Sequence, residues 1–474
     1  MLFDGLEIGR FEQNFRIGAE AIYQKAVRDR IEDSYMYPYG NFTAMSGGIN
    51  SGYPQGTGAN GVWNGQPDSW GNISVNGDSY YNKMGVIHAH KGQFDTFTYG
   101  VYVEDDAKYH LGSAGTLNAR FGMRLDGDNF LNKNKLAPRF SLSYVAPWEN
   151  EYKTQLTFGA NRYYARNLLA YRFYAEAVNN RRAYYRTNPN EAWQHCGVQN
   201  ANCVIAGNNY MSDGVVTAGN RLDSIDVPYD DELMGAFTQN LAGLFSFNLK
   251  YIHRDGKNQV TQENRGTEAA PRYFWGNNGY TKADIISLAV QNIAPIESAG
   301  IKHFYMVGVD WNNARRNYNS SSIDTDMLGN ITYNGQAMRY EDMPAQKVNQ
   351  PLIARINMTH TVQLGRVQVL WNNLFRYKGS YDRIVLESLS NTSTFVDKHF
   401  KPTFMWDMRL GFDVNIYGGN TLFVNFDIYN VLDSKNEVAL SAADGIMLYG
   451  IPSNAALTTY ELGRQFWTQV GYRF

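Results

Sequence analysis

The sequence predicts an all-β chain whose strands are long enough to cross a lipid bilayer. Three observations carry that prediction. Apolar and polar residues alternate with period two over segments of about ten residues, well beyond the usual soluble strand of about five or six. The connections between these segments alternate between short and long. No apolar run approaches the roughly 20 residues that a membrane helix needs.

The alternation begins early and persists to the last residue. In 95–109, Phe97, Tyr99, Val101 and Val103 oppose Thr96, Thr98, Gly100 and Glu104. Next, Leu117, Ala119, Phe121, Met123 and Leu125 alternate with Asn118, Arg120, Gly122, Arg124 and Asp126. Further on, Phe404, Trp406, Met408, Leu410, Phe412, Val414 and Ile416 share one face, and Asp407, Arg409, Gly411, Asp413 and Asn415 the other. Leu422, Val424, Phe426 and Ile428 repeat the pattern opposite Asn425 and Asp427. A tilted strand of about 9–11 residues spans a bilayer. Because lipid-facing and lumen-facing residues alternate, the negative mean hydropathy is no argument against a membrane location.

Short connections are expected near Asn14 and at 110–115, 148–151, 240–243, 296–300, 364–365 and 417–420. Long ones are expected over 29–94, 129–135, 167–230, 257–279, 319–351, 385–403 and 435–457. Strict alternation of the two classes is the asymmetry of a transmembrane barrel, with tight turns on one side and large loops on the other. Between them lie about fifteen strands, the first and last running in the same direction. Fifteen strands do not close an antiparallel barrel, and open edges in lipid are prohibitive. The missing strands are therefore expected before Met1. The opening residues, Met1-Leu-Phe-Asp-Gly-Leu-Glu-Ile, lack the features of a secretory signal, as a mature chain or a fragment would.

Composition excludes other classes. Net charge is −2, so no global basic field points to nucleic acid. The bias lies in 34 Tyr, 25 Phe and 9 Trp among 474 residues, with 44 Gly and only 13 Pro, a profile suited to aromatic girdles and long loops. No GxSxG, HExxH, P-loop or GxGxxG motif stands in a usable context, so neither catalytic residues nor a cofactor are expected. Cys196 and Cys203, an isolated close pair in a polar segment, suit a disulfide in an oxidising compartment.

The end of the chain reads Tyr460-Glu-Leu-Gly-Arg464-Gln-Phe466-Trp-Thr-Gln-Val470-Gly-Tyr472-Arg-Phe474. It resembles the closing strand of TonB-dependent outer-membrane receptors, with a Gly-Arg-aromatic start and a terminal Phe. Three further blocks resemble that family in the expected order. Val101-Tyr-Val-Glu-Asp105 followed by Gly122-Met-Arg124-Leu-Asp126 is similar to its "YxQD … GxRxD" hairpin. Leu136-Ala-Pro138-Arg139 through Tyr144 resembles its "sPRxxxxY" strand, and Asn430-Val-Leu432-Asp433 its "NLFD" segment.

The resemblance implies a barrel of about 22 strands preceded by a plug, with 1–474 its C-terminal part and the plug missing. It implies the outer membrane of a Gram-negative bacterium, with lipid and lipopolysaccharide as surroundings. It also implies coupling to the TonB complex through the missing N-terminal plug region. Phe466, Val470, Tyr472 and Phe474 would be the signal read by the barrel-assembly machinery. The implied function is energised uptake of a scarce nutrient, a ferric siderophore or other iron chelate. The alternatives are a receptor for heme or a host metalloprotein, and a passive porin.

Ligand candidates lie in two very long loops. The first carries Tyr35, Tyr37, Trp63 and Trp70; the second carries Arg166, Arg172, Arg181, Arg182, Tyr184, Tyr185, Arg186 and Trp193. Guanidinium groups interleaved with aromatic rings can hold an anionic or catecholate chelate through bidentate hydrogen bonds and stacking. Equally, the rings can pack loops or line a membrane girdle, and the arginines can neutralise lipopolysaccharide. His88, His90 and His195 are weak metal candidates; the heme-receptor pattern is unmet, with Tyr163-Tyr-Ala-Arg166 at its first position. Inward charges such as Arg120, Arg124, Asp126, Asp407, Arg409 and Asp413 are expected to form a structural network against a plug.

Overall fold

The structure is a computed structural model. It describes residues 2–36, 42–44, 79–81, 83–165, 173, 180–187, 191–197, 200–206, 209–210, 225–264, 273–318, 330–345, 351–388, 394–442, 447–448, 451–452 and 456–474.

Period-two patterning becomes one antiparallel sheet in which each long strand pairs with the next. In chain order these are β1 (Leu2–Ile8), β2 (Phe11–Arg30), β3 (His90–His110), β4 (Thr116–Asp128) and β5 (Asn134–Val145). Next come β6 (Thr154–Tyr164), β7 (Tyr229–Leu241), β8 (Phe245–Asn264), β9 (Tyr273–Asn292) and β10 (Ile301–Arg316). The last five are β11 (Leu352–Leu364), β12 (Val367–Lys378), β13 (Thr403–Asn415), β14 (Thr421–Tyr429) and β15 (Gln465–Arg473). A stub, Ile296–Ser298, folds back on β10 and brings the sheet to 16 strands. Among the described residues β1 and β15 are the two edges.

Register separates the faces. Phe121 pairs with Phe140, Leu410 with Trp371 and Phe426, and Val424 with Val470, all on one largely apolar face. Such a surface would be a liability in water and suits lipid. Phe466, Val470 and Tyr472 lie on it, and Phe474 is wholly exposed.

The opposite face carries paired charges. Arg16 and Arg120 both meet Glu104 and Asp106, and Arg124 joins Glu20 (2.5 Å) and Asp126 (2.8 Å). Arg409 grips Asp427 with two hydrogen bonds (2.5 and 2.8 Å). Arg376 reaches Asp407 (2.7 Å), and Arg473 reaches Asp413 (3.1 Å). These inward charges are thus ion-paired: some to the adjacent strand, Arg124 and Arg473 across one intervening strand, and Asp126 to Arg124 on its own strand.

Three expected connections differ in the structure. The first turn is Gly9-Arg10, with Ile8 opposite Phe11 and Gly9 at φ +66°; Asn14 instead accepts the Gly5 N–H at 2.8 Å. Two-residue hairpins need a residue of positive φ, which glycine adopts without a steric cost. The expected loop 129–135 is a five-residue reversal, 129–133, because Asp128 accepts the N–H groups of Phe130 and Leu131 at 2.7 and 2.6 Å. The expected loop 257–279 is mostly strand, since register shifts after Gly256 and at Gln259 absorb the irregular stretch and pairing resumes. Long and short connections therefore do not alternate strictly.

Candidate functional site

Beyond the long-loop end of the wall, short strands cross-link segments distant in sequence. Ser34–Met36 pairs with Lys83–Ile87, which pairs with Arg181–Tyr185, which pairs with Gln194–His195. The two very long loops are thus stitched into one four-stranded sheet. A disulfide joins Cys196 to Cys203, and both pack on Ala183 with Tyr185 alongside. The Cys196 N–H donates to the Ala183 carbonyl at 2.8 Å, so the bridge fixes the outermost pair of strands.

Register decides which candidates meet. Tyr35 and Arg182 both stand opposite Val86, and Tyr184 stands opposite Met84 and His195. Since alternate residues share a face, Tyr35, Arg182, Tyr184 and His195 occupy one side of the sheet, over the buried Met84 and Val86. The Tyr184 and His195 rings lie 5.7 Å apart, and Tyr35 is 57% exposed. Arg181 and Tyr185 occupy the other side, where the Tyr185 hydroxyl donates to Gln194 at 2.9 Å. Arg186 is buried, with its guanidinium 4.6 Å from the Trp193 ring centre. Arg166, Arg172, Tyr37, Trp63 and Trp70 lie outside the described residues.

Charge around the sheet is also arranged. Asp33 accepts the Ala89 N–H at 2.6 Å and meets His88 Nδ1 at 3.1 Å; these hydrogen bonds, the backbone one first, hold its carboxyl below the usual range. His90 Nδ1 donates to the His88 carbonyl at 2.8 Å. Each imidazole thus has a local partner, and no group of three or more metal-ligating side chains occurs among the described residues. Burial pushes the Lys83 ammonium down. Lys83 and Asp33 escaped sequence reasoning, because their roles depend on pairing across the loop sheet.

Two further clusters seat the loops on the wall. Val260 on β8 and Trp275 on β9 enclose Ile225 with Leu131 alongside, so the extensions of these 20-residue strands are packed by loop residues. A second loop sheet, Gln336–Arg339, Asn330–Tyr333, Thr394–Phe400 and Tyr381–Ser388, packs Ile331, Met343 and Phe395. Below it, Asn430 is fully buried and makes a backbone bond to Asp407 (2.9 Å) and side-chain bonds to Ser434 and Leu462 (3.0 and 3.1 Å). The Asn430–Asp433 segment is therefore a structural corner.

No family model matches the chain. It is 22% identical over 405 residues to the uncharacterized protein YddB of Escherichia coli K12, an alignment covering 82% of this chain and 45% of that protein. The crystal structure of the outer membrane transporter YddB from Escherichia coli superposes with a TM-score of 0.63 at 20% identity, covering 99% of this chain and 52% of that one. A mutant of the ferric enterobactin receptor PfeA from Pseudomonas aeruginosa, in complex with enterobactin, superposes with a TM-score of 0.50 at 15% identity, covering 100% and 53%. The chain spans about half the length of the relatives it matches. The chain shares with these structures a wall of long antiparallel strands and carries the β-barrel fold of outer-membrane transporters.

Proposed function

We propose that this chain is the C-terminal part of the barrel of a TonB-dependent receptor that imports a ferric siderophore or related iron chelate. In this reading a plug and the first strands come from sequence outside the chain, and the plug couples uptake to the TonB complex. The last strand would be read by the barrel-assembly machinery. One observation carries the ligand assignment: the loop sheet collects Tyr35, Arg182, Tyr184 and His195 on a single face. A guanidinium gives bidentate hydrogen bonds to carboxylate or catecholate oxygens, and flanking rings stack on a planar chelate.

The test is a titration of the full-length protein in detergent with ferric siderophores, heme and cobalamin, read by intrinsic tryptophan fluorescence. The expected result is sub-micromolar binding of one ferric chelate, weakened at least tenfold by Arg182→Ala with Tyr184→Ala. Binding of heme alone would replace the siderophore reading. No binding across the panel, with a large open-pore conductance in bilayers, would overturn it in favour of a porin.

A further inference from the structure

The histidines of the chain are not placed alike. His88, His253 and His399 each direct Nδ1 at a carboxylate, that of Asp33, Asp284 and Asp382, at 3.1, 2.8 and 2.7 Å. His303 and His360 instead direct Nδ1 at each other, 2.7 Å apart. Among the described residues neither of these two has an ion-pair partner. Register creates the pair. The two residues stand directly opposite on β10 and β11, and the same rung continues through Trp371, Leu410 and Phe426. Both imidazoles therefore lie on the apolar outward face.

Their height on the wall matters. His303 is the third residue of β10, about 7 Å along the strand from its short-turn end. That is the level at which aromatic side chains meet the water boundary, and both imidazoles are half-buried. The Tyr305 ring lies nearly parallel to His303 at 6.2 Å, and Trp371 lies 5.4 Å from His360. These rings pack the imidazoles in place. Two ring nitrogens at 2.7 Å need something between them, because facing lone pairs repel. One N–H supplies it when one imidazole donates and the other accepts. A metal ion supplies it equally. With metal–imidazole bonds of about 2.0–2.1 Å, two nitrogens on one ion stand about 2.9 Å apart at a right angle and about 3.3 Å apart at a tetrahedral angle. The observed spacing is nearer the right angle, which is the geometry of tetragonal Cu2+. Cu2+ also heads the affinity order of the first-row divalent ions.

We propose that His303 and His360 form a two-imidazole site for Cu2+ on the outer surface of the wall, at its short-turn rim. On binding, the proton on the donating Nδ1 moves through solvent to Nε2 of the same ring. Both imidazoles stay neutral, and each Nδ1 gives its lone pair to the ion. Water fills the remaining positions. The ion ties β10 to β11 across one rung. The loop sheet lies at the opposite end of the wall, so this site is independent of the nutrient assigned to the loops.

The experiment uses the full-length protein in detergent, free of any histidine tag, with heat-modifiable gel mobility to establish folding. Its probes are the chloride salts of Cu2+ and Zn2+, titrated after treatment with a chelator. The expected result is a Cu2+ site whose electron paramagnetic resonance is tetragonal and shows coupling to two imidazole nitrogens. Cu2+ should bind at least tenfold tighter than Zn2+. His303→Gln and His360→Gln, each alone, should weaken that site at least tenfold, because chelation needs both rings. His399→Gln, which removes an exposed imidazole from a loop strand, should leave it unchanged. Unchanged affinity in either folded single variant, a spectrum with one coupled imidazole, or Zn2+ bound as tightly as Cu2+ would each overturn the proposal.

Discussion

In the wall, β2 and β3 pair rung by rung over 20 residues, and most side chains face either lipid or lumen. In the cap, the strands that join the long loops are only two to five residues each. The disulfide packs on those strands, while a buried tryptophan and an asparagine corner seat other loop segments on the wall. The lesson is one of cooperativity. Backbone ladders closed over many rungs are insensitive to any one side chain, whereas a short strand pair is marginal without packing.

That contrast is broken or sharpened most strongly at Trp275. Replacing it by alanine removes the centre of the cluster with Ile225 and Val260 and should cost about 3–5 kcal/mol of local stability. Amide exchange should rise around 225–228 and 258–264, while the wall keeps its heat-modifiable mobility. Loss of that mobility would mean that wall and cap form one cooperative unit. Next is Cys196→Ala with Cys203→Ala, which releases a loop of seven-residue separation and should cost about 2.5 kcal/mol by loop entropy. Exchange should increase at the Cys196 amide, which bonds Ala183, with no change on β11–β15.

The smallest effect is expected at Glu461. Burial would raise its carboxyl, yet the Lys378 ammonium at 2.6 Å and Asn436 at 3.0 Å hold it below the usual range. A depressed carboxylate contributes stability that is present above its unfolded value, near 4.3, and is lost as pH falls through the folded one. The segment 456–464 should therefore loosen in acid by about 1 kcal/mol, and Glu461→Gln should remove that pH dependence. An unchanged acid profile in the variant would show that Glu461 does not anchor the corner.

Legibility followed the same division. The strands over 95–126 and 403–428 were readable because alternation over ten or more residues has one regular backbone solution. The loop over 129–135 misled because an Asx turn at Asp128 compresses it, and the stretch after Gly256 misled because bulges let pairing continue. Of the candidate ligand residues, composition singled out Arg182 and Tyr184 together with Arg181 and Tyr185. Only the pairing with Lys83–Ile87 put the first two with Tyr35 and His195 and turned the others away.

What the amino-acid sequence determined by itself was the wall: strand length, the lipid and lumen faces, and the order in which neighbours pair. Side-chain periodicity is a local property, and sequential antiparallel pairing needs no information beyond it. What tertiary structure decided was which distant residues share a surface. The loop sheet joins segments far apart in sequence, and the inward ion pair of Arg409 with Asp427 exists only in register across two strands. Neither has a signature within any single segment, because a cross-strand neighbour is set by register and not by adjacency along the chain.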